Sequence, residues 1–310
     1  MGKKLKTSLV AMGLVSLSSA AYADCSTVRL SDVGWTDITA TTAATATVLE
    51  GLGYKANVKV LSVPVTYTSM ANGDIDVFLG NWMPTMEGDI KAYRDAGTVE
   101  TVGRNLEGAK YTLAVPKYTY DAGLKSFADI GKFKDKLNGK IYGIEPGNDG
   151  NRLIEDMIKT KSMGLSGFKV VESSEQGMLS QVARAGKKKD HVVFLGWEPH
   201  PMNANFEMAY LSGGDDFFGP NFGGAEVFTN TRKGYSAECQ NVGVLLKNLE
   251  FSLQMENEIM GAILNDDQDP DKAAKAWIKK NPAVLTKWLN GVKTIDGKDG
   301  LSSVKSSLGL

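Results

Sequence analysis

One pattern, written twice, limits what this chain can fold into. Val77-Phe78-Leu79-Gly80-Asn81-Trp82-Met83-Pro84 and Val193-Phe194-Leu195-Gly196-Trp197-Glu198-Pro199 share a single plan. A β-branched and aromatic run reaches glycine and a tryptophan follows within two residues. Proline, which lacks the N–H a ladder needs, then stops the strand. Each copy reads as a buried strand whose C-terminal end carries a tryptophan out onto a loop. Val28-Arg29-Leu30-Ser31-Asp32-Val33-Gly34-Trp35 is a third version. Ligands of open α/β sheets gather at the carboxyl ends of strands. Trp35, Trp82 and Trp197 there predict an aromatic-walled pocket, whose natural guest is a cation. Trp277 and Trp288 lie in helical patterns and read as ordinary core.

Between these strands the pattern alternates. The first series has a helix over 36–52, a strand over 57–63 and a short helix over 66–72. A strand at 74–79, a helix at 87–96 and strands at 99–102 and 111–115 complete it. The second has a helical or irregular stretch at 127–137, a strand at 140–144 and the polar turn Glu145-Pro146-Gly147-Asn148-Asp149-Gly150. A helix at 151–161, a strand at 169–171, a helix at 174–186 and a strand at 192–195 follow. Such alternation predicts a mostly parallel α/β sheet, and two series ending alike predict two similar lobes. Beyond Trp197, a loop marked by Gly213-Gly214 and Gly219-Pro220 leads to a strand at 226–229. A long helical tract over 239–265 and helices at 271–280 and 283–289 come last.

The N-terminal 23 residues read as an export signal. Lys3, Lys4 and Lys6 precede an apolar stretch from Leu9 to Leu17, and Ala21-Tyr22-Ala23 is a cleavage site. Asp24 before Cys25 fits a lipobox poorly, so a soluble periplasmic protein is expected. Cleavage removes three lysines and no acids, taking the formal charge from −1 to −4. That balance gives no support to nucleic acid or anionic membrane as a partner. The 287 remaining residues suffice for two lobes. Cys25 and Cys239 are the only cysteines, and in an oxidising compartment they predict a disulfide. Closing so long a loop is worth roughly 4–5 kcal/mol in the chain-entropy model. The bond also packs the C-terminal third back on the first lobe. The lobes become 24–112 with 212–310, and 113–211, joined by crossings near Leu113 and Leu211: a hinged binding protein whose cleft closes on ligand.

Catalytic signatures are weak. Gly164-Leu165-Ser166-Gly167 lacks the spacing of a nucleophile elbow, and Ser302-Ser303-Val304-Lys305 sits in what reads as a polar tail. Two histidines and two bonded cysteines assemble no familiar zinc site, and no cofactor is implied. Glu198 and His200 could form an acid/base pair, but His200 between two prolines reads better as a loop residue. Asp74 and Asp76 read as structural. Asp37 is either the N-cap of the following helix or a carboxylate aimed at the pocket. Asn148 is either a turn residue tolerating positive φ or a group that meets the ligand.

Taken together, Gly34-Trp35-Thr36-Asp37, the run from Gly73 to Pro84, Lys110-Tyr111, Gly147-Asn148-Asp149-Gly150 and Gly196-Trp197-Glu198-Pro199-His200 resemble a known family. It is the quaternary-amine substrate-binding group of periplasmic ABC importers, which includes choline and glycine betaine receptors. The resemblance implies a type II periplasmic binding fold of two α/β lobes, with the trimethylammonium group held in an aromatic box. Residue by residue, the box is Trp35, Trp82, Tyr111 and Trp197. Asp37 lies near it, Asn148 reaches the ligand's polar end, and Cys25 bonds Cys239. A quaternary ammonium has no N–H to donate, so ring faces must replace its hydration. Asp37 favours choline, because a carboxylate would repel that of glycine betaine in a low-dielectric cleft. The expected protein is a monomeric receptor without catalysis that hands choline to a membrane permease. Alternatives are glycine betaine, carnitine, acetylcholine or trimethylamine N-oxide as ligand, an exported choline-ester or choline-phosphate hydrolase, or a sensor subunit.

Overall fold

A computed structural model describes residues 25–310; the export signal expected over 1–23 lies outside them. Nine strands are found among the described residues, all in one sheet. They are β1 (Thr27–Asp32), β2 (Lys55–Val60), β3 (Val77–Met83), β4 (Val99–Pro116), β5 (Lys140–Tyr142), β6 (Lys169–Val171), β7 (Phe194–Glu198), β8 (Met208–Tyr210) and β9 (Gly224–Arg232). Their order is β2-β1-β3-β9-β4-β7-β5-β6, with β8 beside β4.

The sheet corrects the parallel expectation. Its two flanks are parallel, β2-β1-β3 on one side and β7-β5-β6 on the other. Its centre is antiparallel, because β9 returns between β3 and β4 and pairs against both. The two short strands expected around Thr101 and Leu113 are one strand of 18 residues. Register shifts at 101–103, 104–106 and 106–109 let β4 bend without breaking, which is why Gly103 and Gly108 mimic a strand end. β4 pairs with β9 up to Lys110 and with β7 from Lys110 to Ala114. It therefore runs unbroken from β9 in the centre of the sheet to the flank that begins at β7. Leu211 N–H donates to the Leu113 carbonyl at 2.9 Å, so the chain's return lies beside its outward crossing.

Six helices matter below: α1 (Thr36–Gly51), α2 (Asp149–Lys159), α3 (Glu175–Lys188), α4 (Leu253–Leu264), α5 (Pro270–Lys280) and α6 (Gly300–Leu308). α1 is rich in Ala and Thr and buried on most of its surface. Ala40, Ala43 and Ala44 give neighbouring helices close approach. The hydroxyls of Thr41, Thr45 and Thr47 donate to carbonyls one turn back at 3.1, 2.8 and 2.9 Å, which satisfies them within the helix, while the buried Thr42 hydroxyl has no partner. α6 replaces the expected polar tail. Val304 and Leu308 are buried, and the Ser303 hydroxyl donates to the Gly51 carbonyl at 3.1 Å. The expected helical tract over 239–265 breaks at residues 249–252. Asp76 is structural, as expected: it accepts Arg29 Nε and Arg232 Nε, each at 2.8 Å, tying β1 to β9.

Cys25 and Cys239 form the expected disulfide, spanning 214 residues. Cys25→Ser is expected to lower the unfolding free energy in urea by roughly 4–5 kcal/mol. An unchanged midpoint would show that the bond constrains nothing that packing does not already hold.

Candidate ligand-binding site

Trp82 and Trp197 each occupy the next-to-last position of a strand, β3 and β7. The strands extend through the tryptophans instead of releasing them onto loops. Both end just before Pro84 and Pro199, whose peptide bonds are cis. Trp35 is the residue before α1. Tyr111 lies directly opposite Trp197 in the β4/β7 ladder, so their rings meet as a cross-strand pair. The Tyr111 ring stands 6.1 Å from that of Trp82 and 6.3 Å from that of Trp197, edge to face with both. Phe218 supports Tyr111 from behind at 5.8 Å.

Polar groups fix these rings. Trp82 Nε1 donates to Asp37 Oδ2 at 3.2 Å, and Trp35 Nε1 donates to Glu145 Oε1 at 2.7 Å. Tyr111 OH donates to Asn148 Oδ1 at 2.8 Å. That contact requires Gly150, since a Cβ there would lie 2.1 Å from the Tyr111 hydroxyl oxygen. Asn148 caps α2, accepting Asn151 N–H at 3.2 Å. Its φ is −68°, and the positive φ of the turn falls on Gly147. Asn148 is thus a cap and a Tyr111 partner, not a left-handed turn residue. Asp37 is no N-cap either. It sits in the first turn of α1, is 1% exposed, and its Oδ1 has no hydrogen-bond partner.

Trp35, Asp37, Trp82, Tyr111, Asn148 and Trp197 thus come together, joined by Ile144 and Asp149, around one chamber. Its volume is about 20 Å³. Its acids are held out of water. Burial pushes the Asp37 carboxyl well above the usual range, and the charge of Glu175 adds to the push. Burial likewise raises Glu145 to about 7 and Asp149 to about 6. A permanent cation among these groups would favour their ionised forms. Sequence reasoning did not single out Ile144, Glu145 or Asp149 as site residues, although the last two frame the turn it did identify. His200 is a buried loop residue. It pairs with Glu175 at 3.0 Å, while Glu198 pairs with Lys110, so the imagined Glu198–His200 pair does not exist.

A chamber walled by strand ends and helix N-termini from both flanks of a mixed sheet defines a substrate-binding protein fold of the two-lobed periplasmic kind. Residues 26–280 match the substrate-binding domain of ABC-type glycine betaine transport systems, and the chain belongs to that family. It is 68% identical to an ABC-transporter choline-binding protein solved in complex with choline. That alignment covers 92% of this chain and 99% of the other, with a TM-score of 0.91. Lactococcal OpuAC, closed around glycine betaine, is 26% identical, with coverage of 84% and 98% and a TM-score of 0.76. The glycine betaine/carnitine binding protein GbuC of Listeria monocytogenes is 30% identical over 53% of this chain and 54% of its own length. The family consists of substrate-binding proteins and not enzymes.

Proposed function

We propose that the protein captures choline in this chamber and delivers it to the permease of an ABC importer. The observation that carries the reading is an aromatic box lined by two buried carboxylate oxygens, Asp37 Oδ1 and Asp149 Oδ2, that no protein group satisfies. Trp35, Trp82, Tyr111 and Trp197 would surround the trimethylammonium group. Each desolvated cation–π contact contributes about 0.5–2 kcal/mol, so four rings can offset the lost hydration. Asp37 would neutralise the cation, and Asn148 would meet the hydroxyl. The choline complex of the 68%-identical relative supports this choice of ligand.

The working unit is a monomer exported to the periplasm, cleaved after Ala23 and divided into lobes 24–112 with 212–310, and 113–211. The hinge lies where β4 exchanges β9 for β7 and Leu211 bonds Leu113. All six candidate residues are buried, so a guest enters only if the lobes part.

Asp37→Asn tests the choice between choline and glycine betaine. The substitution keeps shape and one acceptor but removes the charge. Choline should lose about ten-fold, as its cation loses a charged partner. Glycine betaine should lose less or gain, because a repulsive carboxylate contact disappears. Paired calorimetric titrations of wild type and variant read the ratio. An unchanged ratio would remove the argument for choline.

A further inference from the structure

We infer that Glu175 is a positioning residue for ligand capture: from α3 it caps the N-terminus of α1 across the cleft and holds the box closed. The inference rests on reading the chamber as a quaternary-amine site. The residue preceding α1 is Trp35, and an indole offers no acceptor oxygen, so the helix has no side-chain cap of its own. Thr36 N–H donates instead to Glu175 Oε2 at 2.8 Å, and Thr36 Oγ donates to Glu175 Oε1 at 2.6 Å. These residues lie 139 positions apart in the chain. The acceptor is also the first residue of α3 and fully buried.

A third donor completes the arrangement. His200 Nδ1 accepts Met202 N–H at 2.9 Å, which leaves the ring proton on Nε2, facing Glu175 Oε1 at 3.0 Å. The same imidazole packs on the Trp197 ring at 4.8 Å. One carboxylate therefore connects three chamber residues. Trp35 and Asp37 flank Thr36, its donor, and Trp197 backs against His200, its other donor. The three donors satisfy a buried charge, but the Thr36 bonds exist only while the two flanks of the cleft are together. Once they part, water replaces Glu175 at the α1 terminus. The energy of these bonds is thus available to slow ligand release and not to speed entry.

Stopped-flow tryptophan fluorescence with choline on wild type, Glu175→Gln and Glu175→Asp tests this. Glutamine keeps the length but sets an NH2 group against donors; aspartate keeps the charge but is one methylene short. The release rate should rise at least 20-fold in Glu175→Gln and less in Glu175→Asp. The association rate should stay within about three-fold, and the urea midpoint of ligand-free protein should be unchanged. Wild-type release from Glu175→Gln overturns the inference while leaving choline capture intact. So does a parallel fall of association rate and ligand-free stability, which marks a merely structural residue. If wild type does not bind choline, the functional reading fails and the inference with it.

Discussion

Trp82→Ala and Trp197→Ala are each expected to weaken choline binding at least ten-fold while leaving a folded protein. Each removes one ring face from the cation, about 0.5–2 kcal/mol, together with apolar contact to the methyl groups. The sum crosses the 1.4 kcal/mol that makes a factor of ten. Trp82→Ala should be the more damaging, because it also removes the indole N–H that holds Asp37 Oδ2. Trp197→Ala leaves Asp37 in place but strips the ring packed on His200. Both sites lie within strands paired along the backbone, β3 to β9 and β7 to β4, so the ladder survives the truncation. Trp82→Phe should fall between wild type and Trp82→Ala, since it keeps a ring face but loses the donor and part of the aromatic surface. Calorimetric titration of the variants, with circular dichroism to confirm folding, reads the effect. Wild-type affinity in both alanine variants would make these tryptophans ordinary packing.

Much of the architecture was legible because it is written in short-range patterns. The helix at Thr36 carries a glycine stop, α3 begins after a capping Ser174, and α5 begins with proline after a capping Asp269. The two strand–Gly–Trp–Pro runs mark the strand ends of the chamber, and two cysteines in an exported chain point to their own pairing. What was not legible depends on distant partners. Nothing local in β9 says that it will run antiparallel between β3 and β4, since both sheet types share a period of two. α6 looked polar because its buried residues are only Gly300, Val304 and Leu308, each one turn from the next. Glu175 was not singled out, because its contact with Thr36 spans 139 positions that no local pattern connects. For Asp37 the sequence left two readings open, helix cap or chamber carboxylate, and the structure puts it in the chamber lining. Whether it caps or faces the chamber was decided by Trp82, which the fold brings to it across 45 positions.

Choline capture in this chamber requires recognition of a permanent positive charge and not merely of a trimethyl shape. Choline has a neutral carbon isostere, 3,3-dimethylbutan-1-ol, with the same outline and hydroxyl. Ring faces and a buried carboxylate should discriminate strongly between them. Losing the cation–π contacts of several rings and the attraction of Asp37 should cost roughly 3 kcal/mol, about 100-fold in affinity. The deciding measurement is isothermal calorimetry of the wild-type protein with both compounds at one pH and ionic strength. Tight choline binding is expected, with at least 100-fold weaker binding of the alcohol. Comparable affinities would contradict this, showing a pocket that selects by apolar shape alone.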